Sequence, residues 1–84
     1  MKKIRVYTSQ ICPYCARAKS LLKKKGAAFE EIDISMDVKA RGEMLAASGG
    51  ARTVPQIFIG DTHVGGCDEL YALEREGKLD PLLA

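Results

Sequence analysis

No apolar run in this chain approaches the roughly 20 residues needed to cross a bilayer. Met1-Lys2-Lys3-Ile4 opens on basic residues without a following apolar stretch, so no signal peptide is read there. Charge of one sign is also scarce. Thirteen Lys and Arg against eleven Asp and Glu leave a net +2. That excess is too weak and dispersed for a nucleic-acid surface, although it mildly favours small anionic ligands. Cysteine is sparse too: three residues cannot close a disulfide framework, and an odd count with one tight pair points to working thiols in a reducing compartment. Repeats, linkers and low-complexity segments are missing. The 84 residues are too few for a second core, so residues 1–84 are expected to form one domain. The absences together lead to a soluble, cytoplasmic protein with neither membrane nor nucleic acid as partner.

What is present is an ordinary globular balance, 46% hydrophobic and 29% charged, built around Cys12-Pro13-Tyr14-Cys15. Residues 2–7 alternate, with Ile4 and Val6 on one face and Lys3, Arg5 and Tyr7 on the other, which predicts a strand. Pro13 suits the first position of a helix. Ala18, Leu21 and Leu22 supply the apolar stripe, Lys23–Lys25 suit the negative end of the helix dipole, and Gly26 fits the stop. The spacing predicts a helix over 13–25. A C-x-x-C at a strand-to-helix junction reads as a dithiol redox site. With Cys12 as the N-cap, Cys15 falls one turn on, on the same side, where a disulfide needs little backbone movement.

Downstream, Phe29–Ile34 reads as a second strand whose acidic residues suit a sheet edge. Strand, helix and strand within this length form a right-handed βαβ unit. Ser35 or Asp37 is expected to cap a helix carrying Val38, Met44 and Leu45 inward, weakened by Gly42 and ended by Ser48-Gly49-Gly50. Gln56–Ile59 fits a strand buried on both faces. Gly60-Asp61 is a hairpin turn, and Thr62–Val64 returns antiparallel. Cys67 or Asp68 is expected to cap a helix with Leu70, Tyr71 and Leu73 inward. Asp80-Pro81 reads as the cap and first position of a last short turn. The order β-α-β-α-β-β-α predicts an α/β fold with a four-stranded mixed sheet and three main helices covering both faces.

Each candidate site has a plainer reading beside the functional one. Only a thiolate attacks a disulfide, and the open N–H groups of a first helical turn favour that anion at Cys12. Arg17 and Lys19 are nearby cations that assist if they point the right way. Cys15, a turn deeper, suits a resolving role. As half of a zinc site the pair needs two more ligands, and Cys67 and His63 do not form a second knuckle, so no metal is expected. Thr53-Val54-Pro55 reads either as a strand start or as a cis peptide presenting the Val54 backbone to a ligand. Gly65-Gly66-Cys67-Asp68 reads as a plain capped helix or as a helix end open to a carboxylate, with Asp68 answering an ammonium group. His63 reads as a surface residue and the lysine run as a solvated helix end.

Cys12-Pro13-Tyr14-Cys15, Thr53-Val54-Pro55 and Gly65-Gly66-Cys67-Asp68, in this order and spacing, resemble a dithiol glutaredoxin of the short bacterial type along essentially the whole chain. The resemblance implies a thioredoxin-like fold with sheet order 2-1-3-4 and a cis bond before Pro55. It implies Cys12 as nucleophile and Cys15 as resolving thiol, with glutathione as co-substrate. Thr53 and Val54 then hold the glutathione backbone, Gly66, Cys67 and Asp68 its γ-glutamyl end, and Tyr14 flanks the sulfur. The family commonly places a lysine where this chain has Ser9, to meet the glycyl carboxylate; Arg41 is the candidate substitute.

The activity so implied is reduction of protein–glutathione mixed disulfides and of protein disulfides by a monomer. Glutathione reductase is the indirect partner, and ribonucleotide reductase is among the candidate substrates. Two rivals stand beside it. One is an electron donor reduced by thioredoxin reductase. The other is an iron–sulfur cluster carrier, against which Pro13 and the second cysteine both argue.

Overall fold

A computed structural model describes residues 2–84. Its elements run β1 (Ile4–Thr8), α1 (Pro13–Lys24), β2 (Glu30–Asp33), α2 (Val38–Ala47), β3 (Gln56–Ile59), β4 (Thr62–Gly65), α3 (Cys67–Arg75) and α4 (Leu79–Leu83). The sheet order is β2-β1-β3-β4. β1 pairs parallel with β2 and antiparallel with β3, and β3 pairs antiparallel with β4. The acidic β2 is therefore an edge strand, and the wholly buried β3 is an inner one. Among the described residues no helix is long and apolar enough to cross a membrane.

Both sheet faces are covered, by unequal layers. On one side Ile4, Val6, Ile57 and Ile59 meet Ala18, Leu21 and Leu22 of α1, Leu70 of α3, and Leu79 and Leu83 of α4. On the other, Tyr7 and Phe58 meet Ile34 and Ala40 and Met44 of α2. Burying one such large aliphatic side chain stabilises the fold by about 1.5–3 kcal/mol. Tyr7, placed by alternation on the face opposite Ile4 and Val6, is therefore buried as well.

Three local expectations are corrected. Val38 does not face inward: it is 87% exposed. Asp37 is the N-cap, its carboxylate accepting from Ala40 N–H at 2.9 Å, so the inward seam runs through Ala40 and Met44, four apart on one helix face. The cap of α3 is Gly66, neither Cys67 nor Asp68. The last helix starts at Leu79 after Lys78 rather than at Asp80-Pro81. Its register follows the burial of Leu79, and Pro81 is tolerated because the N–H groups of a first turn have no intrahelical partner.

Candidate active site

Three chain segments converge beside the C-terminal end of β1. The first is the start of α1. Cys12 is its N-cap, with φ −148° and ψ 94°, and Pro13 stands at the first helical position. Cys12 and Cys15 are joined as a disulfide with their Cα atoms 5.2 Å apart. Cys12 Sγ accepts a hydrogen bond from Cys15 N–H at 3.1 Å. Cys12 is half-buried, whereas Cys15 is only 2% exposed. The two sulfurs are thus unequal: one faces outward at a helix end, and the other is sealed beneath it.

The second segment is the turn into β3. The Val54–Pro55 bond is cis. Val54 O lies 3.9 Å from Cys12 Sγ, which brings this turn against the reactive end of α1. The third is the start of α3. Glu69 Oε1 accepts from Gly66 N–H at 2.6 Å, one half of a capping box whose other half glycine has no side chain to provide. A Cβ on Gly66 would lie 3.4 Å from Pro55 O and 3.2 Å from Glu69 Oε1, so the glycine lets the second and third segments close together.

A cleft of about 180 Å³ lies between these segments, lined by Tyr14, Thr53, Val54, Pro55, Gly66, Cys67, Asp68 and Glu69. Tyr14 is 56% exposed at its rim. The floor includes the N-terminus of α3, which favours an anion, with Asp68 and Glu69 in its first turn offering carboxylates to a cation. An anionic group and a cationic group on one small ligand would both be accommodated there. Burial raises the Cys67 thiol above its ordinary value, and the Arg17 guanidinium only partly offsets this. Arg17 sits over the Tyr71 ring at 5.4 Å, while Tyr71 Oη donates to Arg17 O at 3.0 Å. That pair ties α1, which carries the cysteines, to α3, which carries the cleft floor.

Tyr14, Thr53, Val54, Pro55, Gly66, Cys67 and Asp68 are thus gathered around one cleft. Arg41 is not among its lining residues; it is exposed on α2. Lys19 pairs with Glu31 at 2.9 Å, and Arg17 is occupied at Tyr71. Glu69 was missed by sequence reasoning. Its signal was the three-residue step from Gly66, the spacing of a capping box, which an N-cap set at Cys67 or Asp68 hides. No group of three or more metal-ligating side chains occurs among the described residues.

A mixed four-stranded sheet bearing a C-x-x-C at the first helix and a cis-proline turn against its outer sulfur defines a thioredoxin-fold thiol–disulfide oxidoreductase. Residues 4–64 match the family model for glutaredoxin, and this chain belongs to the glutaredoxin family. A glutaredoxin of Pseudomonas aeruginosa is 56% identical over 84 residues, covering 100% of this chain and 99% of that one. The solution structure of a glutaredoxin from Brucella melitensis superposes with a TM-score of 0.85 at 61% identity, over 99% of this chain and 89% of that one. A buckwheat glutaredoxin–glutathione complex gives a TM-score of 0.85 at 36% identity, over 95% and 74% of the two chains.

Proposed function

We propose that this protein reduces glutathione mixed disulfides and protein disulfides with glutathione as its electron source, Cys12 acting as nucleophile and Cys15 as resolving thiol. The observation that carries this is the cleft running from Tyr14 and Val54 to the α3 N-terminus, directly beside Cys12. A tripeptide with a thiol in its middle residue and a carboxylate and an ammonium at one end fits that order of groups. Its cysteinyl backbone pairs with Val54 beside Thr53. Its γ-glutamyl carboxylate meets the free N–H groups at Cys67 and Asp68, and its ammonium meets the Asp68 carboxylate. Arg41, exposed on α2 and outside the cleft lining, is the remaining candidate for the glycyl carboxylate, and a solvent-exposed pair there contributes at most about 1 kcal/mol.

In the first step the Cys12 thiolate attacks the glutathione sulfur of a protein–S–S–glutathione bond. A Cys12–S–S–glutathione bond forms, and the protein leaves as a thiolate. A second glutathione thiolate attacks that glutathione sulfur, releasing oxidised glutathione and regenerating the Cys12 thiolate. For a protein disulfide, Cys12 first forms a bond to the protein and Cys15 then displaces it, leaving the Cys12–Cys15 disulfide for glutathione to reduce. Family potentials of about −200 to −230 mV let a cytosolic glutathione pool drive the cycle. Glutathionylated and disulfide-bonded proteins are the substrates, ribonucleotide reductase being one candidate. The protein works in the cytoplasm as a monomer, with residues 1–84 as one catalytic unit.

The deciding experiment couples turnover separately to glutathione with glutathione reductase and to thioredoxin reductase. Turnover is expected only in the first arm. Turnover with thioredoxin reductase alone would sink the glutathione assignment while leaving the dithiol chemistry intact.

A further inference from the structure

Among the described residues Thr8 and Gln56 are buried polar side chains outside the aromatic and thiol groups of the core. Thr8 donates to Glu31 and belongs to the β1–β2 edge. Gln56, 3% exposed at the first position of β3, is different because its amide reaches back into the turn that lines the cleft. Gln56 Nε2 donates to Thr53 O at 2.9 Å and to Thr53 Oγ1 at 3.3 Å. Thr53 precedes β3, so no ladder partner fixes it.

The amide can face only one way. Thr53 O is purely an acceptor, so Nε2 must point to it, which leaves Oε1 toward β4. There His63 Nε2 lies 2.7 Å from Gln56 Oε1 and must carry the proton. His63 stands opposite Phe58 in the β3–β4 register, and its ring is stacked on Phe58 at 4.8 Å. The Arg5 guanidinium lies 4.9 Å from the centre of the Phe58 ring. A row across the sheet, Arg5, Phe58 and His63, therefore sets the imidazole where it can orient the buried amide.

We propose that Gln56 is a positioning residue for the ligand cleft, holding Thr53 beside the Val54 backbone, and that His63 on the exposed edge strand fixes the orientation of its amide. This rests on the reading of the cleft as a glutathione site. Nothing in the chain Thr53, Gln56, His63 touches the reacting sulfurs, so its effect falls on how well the turn is presented to the co-substrate. An exposed histidine on an edge strand thereby influences a cleft it does not line.

The test compares His63→Ala, His63→Gln, Gln56→Met and Gln56→Glu in the glutathione reductase-coupled assay. Thermal unfolding of each variant is followed, and Thr53 and Val54 amide resonances of the wild type are followed during titration with glutathione. His63 is exposed, so its variants fold even if a Gln56 variant does not. Loss of one hydrogen bond to the amide is expected to raise the glutathione KM about threefold in His63→Ala, and loss of the amide about tenfold in Gln56→Met. In both, kcat should stay within about twofold, which a loss of general stability does not predict. His63→Gln, which restores a donor, should return KM toward wild type. Gln56→Glu, which turns an acceptor oxygen on Thr53 O, should be at least as impaired as Gln56→Met. If wild-type Thr53 and Val54 amides shift with glutathione while every variant keeps a wild-type KM, the positioning role is wrong and the cleft reading stands. If those amides do not move in the wild type, the cleft reading fails and the proposal goes with it.

Discussion

The backbone N–H of Cys15 donates to the sulfur of Cys12 over 3.1 Å. In the reaction proposed above, this N–H faces the sulfur on which negative charge develops, and as a backbone group it does so whatever side chain residue 15 carries. This separates the two functions of Cys15. Cys12→Ser is expected to fall to the uncatalysed background with both a glutathionylated protein and a protein disulfide. Cys15→Ser keeps the amide, so it should retain at least about a third of wild-type deglutathionylation while losing protein-disulfide reduction. Assays of both variants on both substrate types check this. Full deglutathionylation by Cys12→Ser would overturn the assignment.

Cys67 lines the cleft yet should behave as a quiet thiol. Burial raises it above the ordinary thiol value of 9.0, while Cys12 is half-buried at a helix N-terminus that favours its anion. In the reduced protein at pH 7, iodoacetamide is expected to label Cys12 first, with Cys67 following only as the pH is raised. Mass spectrometry of timed samples reads the order, and equal rates at neutral pH would refute it. The stability sign follows. A folded value above the unfolded one means that the contribution from burying the neutral thiol is whole below the unfolded value. It is lost as pH rises through the folded value, so a Cys67→Ala variant should show a flatter alkaline limb.

Much of the fold was legible because hydrophobic period and turn residues agree along most of the chain. Ala18, Leu21 and Leu22 fall on one helical face, Gln56–Ile59 is buried throughout, and the acidic β2 lies at the edge. The dithiol and the two downstream segments stand out because each lies at an element boundary that glycine or proline marks, while their convergence on one cleft was implied only by the resemblance to glutaredoxins. Val38 was not, since an apolar residue in a first turn looks the same on paper whether it faces the sheet or solvent. Gln56 and Glu69 were not, because their partners, Thr53 and Gly66, lie on the chain before them and matter only once the backbone turns. A glutamine inside an apolar run signals a buried amide but not where that amide reaches.

Glu31 links three elements near the site. Its carboxylate accepts from Lys19 Nζ on α1 and from Thr8 Oγ1 on β1, each at 2.9 Å. The bond from Lys19, and less strongly that from Thr8, holds its carboxyl below the ordinary value of 4.5 against the opposing effect of burial. A depressed folded value means that the stabilisation is present above the unfolded value and lost as pH falls through the folded one. Glu31→Gln should therefore be less stable than wild type at pH 7, with the gap closing in acid. The side chain is 42% exposed, so screening keeps the gap below about 1 kcal/mol. Urea unfolding at pH 7 and pH 3, with and without added salt, measures it. A gap that widens in acid would contradict the assignment.

Gly65 joins the edge strand to the cleft helix under two independent constraints. Its φ is +111°, in the region that side chains rarely adopt, and a Cβ there would lie 3.0 Å from Glu69 Oε1 and 3.1 Å from Glu69 Cγ. The backbone conformation alone costs about 1–3 kcal/mol for a non-glycine residue. Gly65→Ala is therefore expected to lower Tm, by about 4–8 °C for each kcal/mol lost in a domain of this size. It should also push the Glu69 carboxylate off Gly66 N–H and loosen the end of α3 that lines the cleft. Removing the obstructing side chain relieves the contact with Glu69 Oε1 and Cγ but not the backbone strain. Gly65→Ala/Glu69→Ala should accordingly be less destabilised than the sum of its parents, by more than the roughly 0.5 kcal/mol seen for independent sites. Strict additivity in the cycle would mean that Gly65 is needed for its φ alone and that Glu69 can move aside freely.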